Sequence, residues 1–259
     1  MIETQTADLA GLPVRWLHAP GPDPPILWVH GVPDSADLWR PFLERAGGIA
    51  VDLPGFGESG KPAEWPYGVA GYERFLHGFL DALGIDRVRV VAHDWGAVAL
   101  TLGERVERLV ALDVVPFLPG HRWHRFARMW RTPLAGELAM GFTGRMTLRR
   151  AGGLAPEHAA AVMRHLDHGT QRAILKLYRG TSAADLAALA PRLAAVRAPA
   201  LVLWGERDAY LDPSWAGRIA DALGGPAIAE TVPGAGHWPW LDAPTVLDRV
   251  AEFTLASPI

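Results

Sequence analysis

The 259-residue sequence contains no cysteine, and that absence removes several classes of protein at once. A disulfide scaffold, a thiolate-bound zinc or iron–sulfur cluster and a cysteine nucleophile are all excluded. Charge is sparse and nearly balanced: 25 Lys and Arg stand against 28 Asp and Glu, a formal net charge of −3. No polyanion-binding footprint follows from this, so nucleic acid is not expected as a partner. No apolar run approaches the ~20 residues that span a bilayer, and no membrane partner is expected. The first ten residues carry Glu3 and Asp8 and lack the basic start and apolar run of a secretory signal, which reads as a cytoplasmic location.

What is present is apolar. Hydrophobic residues make up 49% of the chain, enough to build one large domain with a sizeable core. Short runs rich in Val, Ile and Leu at 26–29, 49–51, 88–92, 109–112, 200–204 and 228–232 are each followed by Gly, Pro or Asp and then by a helical pattern. Helices are expected at about 71–83, 96–105, 214–223 and 243–255. This alternation is the signature of an α/β protein whose mostly parallel sheet is covered by helices. Residues 11–18 alternate around Val14, Trp16 and His18 and read as an antiparallel edge strand.

From residue 116 to 198 the strand signal gives way to Ala, Arg, Leu and His at helical spacing, opened by Pro116, Pro119 and Gly120 and closed by Pro191 and Pro199. The expected organisation is a core of residues 1–115 and 199–259, with a helical cap inserted at 116–198. In open α/β sheets such excursions sit over the carboxyl ends of the strands, where ligands bind, so the insertion reads as a lid.

The residues that carry chemistry follow the strands. Ala92-His93-Asp94-Trp95-Gly96 links strand to helix with small residues on both sides of a sharp turn, the layout of a nucleophile elbow with Asp94 at its tip. Asp208, in Gly205-Glu206-Arg207-Asp208, and His237, in Gly236-His237-Trp238, come next in the chain. Asp113 also ends a strand and is the rival acid, but the Gly-x-x-Asp context favours Asp208. His30-Gly31-Val32-Pro33 leaves an earlier strand, so that the N–H groups of Val32 and Trp95 can form an oxyanion hole.

In combination, His-Gly-x-Pro, Asp-x-Pro-Gly-x-Gly-x-Ser at 52–59, His-Asp-Trp-Gly, Gly-x-x-Asp and Gly-His resemble the α/β-hydrolase family, in the branch of epoxide hydrolases and haloalkane dehalogenases. The resemblance runs from His30 to Trp240 and is weakest in the cap. One departure is the helix after the elbow, which looks a few residues short. The resemblance implies an α/β-hydrolase fold with an inserted cap and an Asp94–His237–Asp208 triad.

The chemistry can be argued from the side chains. A carboxylate of pKa ~3.9 is already ionised at neutral pH and needs no base in order to attack. Against an ester or amide it would give an anhydride that reverts, so its productive electrophile is a saturated carbon bearing an epoxide oxygen or a halide. The resulting Asp94 ester is then hydrolysed by water activated by His237, with Asp208 orienting the imidazole. A halide wants N–H donors, which the Trp95 indole supplies and the Val32 side chain cannot. An epoxide oxygen needs a proton, which the resemblance assigns to a pair of cap tyrosines. Tyr178 looks like the second of them, although such a tyrosine reads equally well as packing. The first is missing, since Tyr67, Tyr72 and Tyr210 fall outside the insertion, and His121, Trp123 or His124 would stand in for it.

The expected activity is therefore conversion of an epoxide to a diol, with a haloalkane or haloacid dehalogenase as the alternative and an esterase or a silent ligand-binding protein behind them. His30, Pro33, Trp123, His124 and Trp238 are the expected pocket residues. The expected partners are a small apolar substrate and water, without cofactor or metal, in a monomer or homodimer. The pairs His121/His124 and His165/His168 lack a third ligand. Arg122, Arg125, Arg128 and Arg131 recur every third residue and read as a solvated lid face rather than a membrane-surface helix.

Overall fold

The apolar runs Ile26–Val29, Val88–His93, Val106–Leu112 and Ala200–Gly205 are buried along nearly their whole length, a pattern that requires cover on both faces of a sheet. In the computed structural model, which describes residues 1–150 and 152–256, they are β3, β5, β6 and β7. With β1 (Glu3–Leu9), β2 (Leu12–Ala19), β4 (Gly48–Val51) and β8 (Ala227–Val232) they form an eight-stranded sheet ordered β1-β2-β4-β3-β5-β6-β7-β8. The β1/β2 and β2/β4 pairs are antiparallel and all others parallel. Residue 151 of the expected cap and residues 257–259 of the expected core lie outside the described residues.

The strand expected at 11–18 is present but is not an edge. β1 pairs along its outer side from Glu3↔His18 to Leu9↔Leu12, and β4 holds the other side. The hairpin turn is Ala10-Gly11, with φ of 54° and 83°, the mirror-type turn that suits strand twist. β1 itself is polar and mostly exposed, which leaves little hydrophobic pattern to read.

One face of the sheet packs against α1 (Arg40–Ala46), α11 (Pro239–Asp242) and α12 (Thr245–Leu255), the other against α2 (Val69–Ala82) and α10 (Trp215–Ala222). Alternate strand residues feed the two cores: Val90 enters one and Val91 the other. The short link after the elbow is a 3₁₀ helix, Asp94–Arg105, broken at Gly103 with φ of 56°. A 3₁₀ helix rises about 2.0 Å per residue against 1.5 Å for an α-helix, so a short segment can still run back along the strands.

Among the described residues seven helices lie between β6 and β7: α3 (Arg125–Arg131), α4 (Ala135–Gly141), α5 (Arg145–Arg150), α6 (Pro156–His165), α7 (His168–Gly180), α8 (Ala183–Ala187) and α9 (Ala190–Leu193). α3 packs on α4 and α7, and α5 on α6. Two histidines of α6 clasp the loop after β3: His158 Nε2 lies 2.6 Å from Asp34 Oδ1, and His165 Nε2 3.3 Å from Asp37 Oδ2. Asp167 caps α7 by accepting the Thr170 N–H at 2.8 Å and pairs with Lys61 at 2.7 Å. No helix among the described residues is long and apolar enough to cross a membrane.

Candidate active site

The parallel strands deliver their following loops to one rim of the sheet, and Asp94 stands at its centre. Its φ of 51° is a left-handed conformation that a non-glycine residue adopts only when its surroundings over-determine it. Those surroundings are tight. A Cβ on Gly96 would lie 2.1 Å from the Val29 carbonyl oxygen, and one on Gly31 would lie 2.3 Å from Asp94 Oδ1. Both positions therefore require glycine for close approach.

The Asp94 carboxylate is buried and held at both oxygens. Oδ1 accepts the Val32 N–H at 2.7 Å, and Oδ2 lies 3.6 Å from His237 Nε2. The Trp95 N–H makes no hydrogen bond to the carboxylate as it stands. On the far side of the imidazole, His237 Nδ1 donates to Asp208 Oδ2 at 2.8 Å. Asp208 is itself fixed by the N–H groups of Tyr210 and Leu211, which donate to Oδ1 at 2.7 and 3.1 Å. Burial opposes a charged imidazole, but Asp208 and then Asp94 outweigh it and raise the His237 pKa well above its usual value. Asp208 is likewise pushed up by burial and brought below its usual value by His237.

Asp113 reaches the same place from the end of β6, yet His237 bonds to Asp208. Its Oδ1 accepts the Gly205 N–H at 2.9 Å, and Oδ2 has no hydrogen-bond partner by geometry. Burial and the neighbouring charge of Asp208 raise its pKa well above its usual value against the opposing pull of His237, which favours the neutral acid. Asp113, Asp208 and His237 bring ligand-type atoms within 4.8 Å of one another, but the donors of the acid and the imidazole are already spent on each other.

Asp94 and His237 open onto a cavity of about 250 Å³ between the rim and the cap, lined also by Val32, Pro33, His124, Tyr178 and Trp238. Its walls are apolar, from Phe126, Trp130, Met140, Leu166 and Ile174 among others. Tyr178 is 3% exposed, and its pKa is driven well above the usual value by burial and by Asp94, so the hydroxyl keeps its proton. Beside that hydroxyl lies the Trp95 indole, whose Nε1–H has no acceptor in hydrogen-bond geometry. His124 Nδ1 accepts the Ala127 N–H at 3.3 Å as the cap of α3, which leaves the ring proton on Nε2. Burial brings its pKa down to about 4, so the ring is neutral.

Two residues expected in the pocket are not there. His30 is fully buried and is spent on backbone: Nδ1–H donates to the Gly31 carbonyl at 2.8 Å, and Nε2 accepts the Leu53 N–H at 3.1 Å, tying the loops after β3 and β4 together. Trp123 stands one row back, stacked on Trp95 at 6.0 Å between ring centroids and edge-on to Tyr178 at 5.5 Å. His121, also considered as a donor, is buried beside Trp123 with Nε2 unpartnered and is not a wall of the cavity. Conversely, Tyr210 lies outside the insertion but does line the cavity, its ring 4.9 Å from His237 and its hydroxyl donating to the Gly152 carbonyl of the cap. Its place two residues after Asp208 was the available signal. The Asp52–Ser59 segment has a structural role: Asp52 is fully buried, pairs with Arg15 at 3.1 Å and accepts the Ala36 and Glu58 N–H groups at 2.7 and 2.9 Å.

An acidic elbow after β5, a second acid after β7 and an imidazole after β8, beneath a helical cap, define an α/β-hydrolase architecture. The sequence profile of the Alpha/beta hydrolase family matches residues 26–250, and the chain belongs to that family. It is 36% identical over 140 residues to a haloalkane dehalogenase of Mesorhizobium japonicum, covering 48% of this chain and 45% of that one. Against epoxide hydrolase 3 of Xenopus tropicalis it is 26% identical, covering 88% of this chain and 70% of the other. The fold superposes on the crystal structure of the haloalkane dehalogenase DbeA from Bradyrhizobium elkani with a TM-score of 0.80, 25% identity and 98% coverage of both chains.

Proposed function

We propose that the protein hydrolyses an electrophile at saturated carbon through an alkyl ester of Asp94, and that its substrate is an epoxide. The observation that carries the reading is the carboxylate itself, with one oxygen on the Val32 N–H at 2.7 Å and the other facing His237 at 3.6 Å. Attack forms an Asp94 oxygen–carbon bond and breaks the ring carbon–oxygen bond, while Tyr178 gives its proton to the departing oxygen. Esterification then removes one of the two negative charges that hold the proton on His237. The imidazole then gives up that proton, which makes good the one Tyr178 has lost, and in its neutral form it takes a proton from water, which attacks the aspartyl carbonyl. The Val32 N–H meets the developing oxyanion, an interaction worth roughly 3 kcal/mol for one donor. On collapse the leaving oxygen takes the proton from His237 and departs as the diol, and the acid so formed on Asp94 passes its own proton to the imidazole, which restores the carboxylate and the charged ring. His124, neutral with its proton on Nε2, supplies a second donor in place of the missing cap tyrosine.

One observation favours a dehalogenase as the second reading: the buried Trp95 indole N–H has no acceptor in hydrogen-bond geometry, which suits a halide in an apolar pocket. Intact-mass spectrometry of His237→Gln after incubation with styrene oxide or 1-bromohexane separates the two. Loss of the base strands the ester, and the epoxide adduct retains its oxygen whereas the halide adduct has lost its halogen. Absence of any adduct at Asp94 with either probe overturns the proposed chemistry.

A further inference from the structure

Residues 121–150 hold seven arginines and one acid, Glu137, in a chain whose total formal charge is −3. Glu137 is itself paired with Arg179 at 2.6 Å, so the positive charge of this part of the cap is unopposed within it. Arg122, Arg128, Arg145, Arg149 and Arg150 are exposed. The arginine repeat alone reads as a solvated face, but large apolar side chains are exposed among and beyond its neighbours. Leu134, Leu138, Phe142 and Met146 fall every fourth residue along α4, the turn after it and the start of α5, and are 78, 64, 81 and 61% exposed. This is the principal run of exposed large apolar residues among those described, and it meets the cavity at Phe142, which lines the cavity together with the partly exposed Met129.

We infer that this face of the cap docks on an anionic phospholipid surface, with the Leu134–Leu138–Phe142–Met146 ridge entering the acyl boundary and the arginines on the headgroups. An apolar ridge rimmed by basic side chains is the composition that binds in the plane of an anionic interface, and each arginine near such a surface adds attraction. A second copy of the chain is the competing occupant. A twofold dimer would set this patch against itself, arginine facing arginine, whereas a bilayer of anionic lipid is complementary to it. The orientation turns the mouth of an apolar cavity toward the phase in which an apolar substrate is concentrated. Docking as such does not depend on the reaction proposed for Asp94.

Co-sedimentation with vesicles of phosphatidylcholine alone, and of phosphatidylcholine mixed equally with phosphatidylglycerol, tests this. Wild-type protein is expected to bind the mixed vesicles, weakly at high salt, and to leave the neutral ones in solution. Two double variants, Leu134→Asp/Leu138→Asp and Arg145→Glu/Arg149→Glu, alter exposed residues that do not line the cavity, and each should weaken binding by at least about tenfold at an unchanged thermal midpoint. No binding to the mixed vesicles, or binding that neither variant weakens, overturns the inference. A concentration-dependent dimer in sedimentation velocity that Leu138→Asp abolishes overturns it as well and assigns the face to a second copy.

Discussion

Asp34 accepts the indole N–H of Trp238 at 2.9 Å, and this buried hydrogen bond joins the two halves of the site. Asp34 lies two residues beyond Val32, whose N–H holds the Asp94 carboxylate, and Trp238 directly follows His237. The other Asp34 oxygen meets His158 of the cap at 2.6 Å. One carboxylate therefore keeps the oxyanion donor, the base and the cap in register.

Acid stability should report that link. Burial alone would raise the Asp34 pKa, but His158 lowers it to about 2, against an ordinary 3.8. A depressed carboxylate contributes stability that is fully present above its unfolded pKa and is lost as pH falls from about 4 toward 2, here about 2 kcal/mol. Denaturant titrations followed by tryptophan fluorescence should show this loss in the wild type. Asp34→Asn should be less stable at neutral pH and flatter across the same window. An unchanged acid slope would remove Asp34 from this role.

The resting imidazole should be charged and should lose that charge when Asp94 is neutralised. The carboxylate 3.6 Å from Nε2 and Asp208 at 2.8 Å from Nδ1 jointly raise the His237 pKa. Asp94→Asn mimics the charge state of the ester. It should abolish turnover by at least about 10⁴-fold and lower the His237 pKa by more than about one unit, since a charge at that distance is worth more than 1.4 kcal/mol in a water-poor site. NMR titration of the ring measures this directly, and a pKa that does not move would sever the proposed link between alkylation and activation of the base.

The two acids near His237 should respond unequally to the same substitution. Asp113 is bonded through Oδ1 to the Gly205 N–H, and its raised pKa favours the neutral form, so Asp113→Asn changes little in shape and should keep kcat within a few-fold of wild type. Asp208 is charged and accepts the His237 proton. Asp208→Asn should present the wrong tautomer partner and lower kcat by about 10⁴-fold. Equal losses from the two variants would mean that Asp113 shares the work of orienting the base.

Much of this was legible because strand ends carry local signals. The buried strands read as continuous apolar runs, with Val32, Asp94 and Asp208 close behind three of them, and His237 comes in the loop after the more exposed β8. β1 escaped because a polar edge strand of sequence Glu3–Leu9 has no apolar face to betray it. The 3₁₀ form of Asp94–Arg105 escaped because its small apolar residues suit either helix. His30 was misassigned, and the Asp34–His158–Trp238 link was not seen, for one shared reason. Which polar atoms meet across loops, or between the cap and the rim, is decided by tertiary packing and leaves no period in the sequence.

Leaving-group assistance separates the two chemistries by substitution. The Tyr178 hydroxyl keeps its proton, and the Trp95 indole N–H lies beside it without a geometric acceptor. A ring-opening alkoxide requires a proton, so Tyr178→Phe should slow alkylation by styrene oxide by about 10²-fold or more. A departing halide requires only a donor, so the same variant should leave displacement from 1-bromohexane within a few-fold. Trp95→Phe removes the indole donor and keeps an aromatic ring beside Tyr178, and it should show the opposite preference. Single-turnover kinetics on His237→Gln backgrounds isolate the alkylation step in each case. If Trp95→Phe impairs epoxide opening while Tyr178→Phe does not, the epoxide reading fails and the halide reading takes its place.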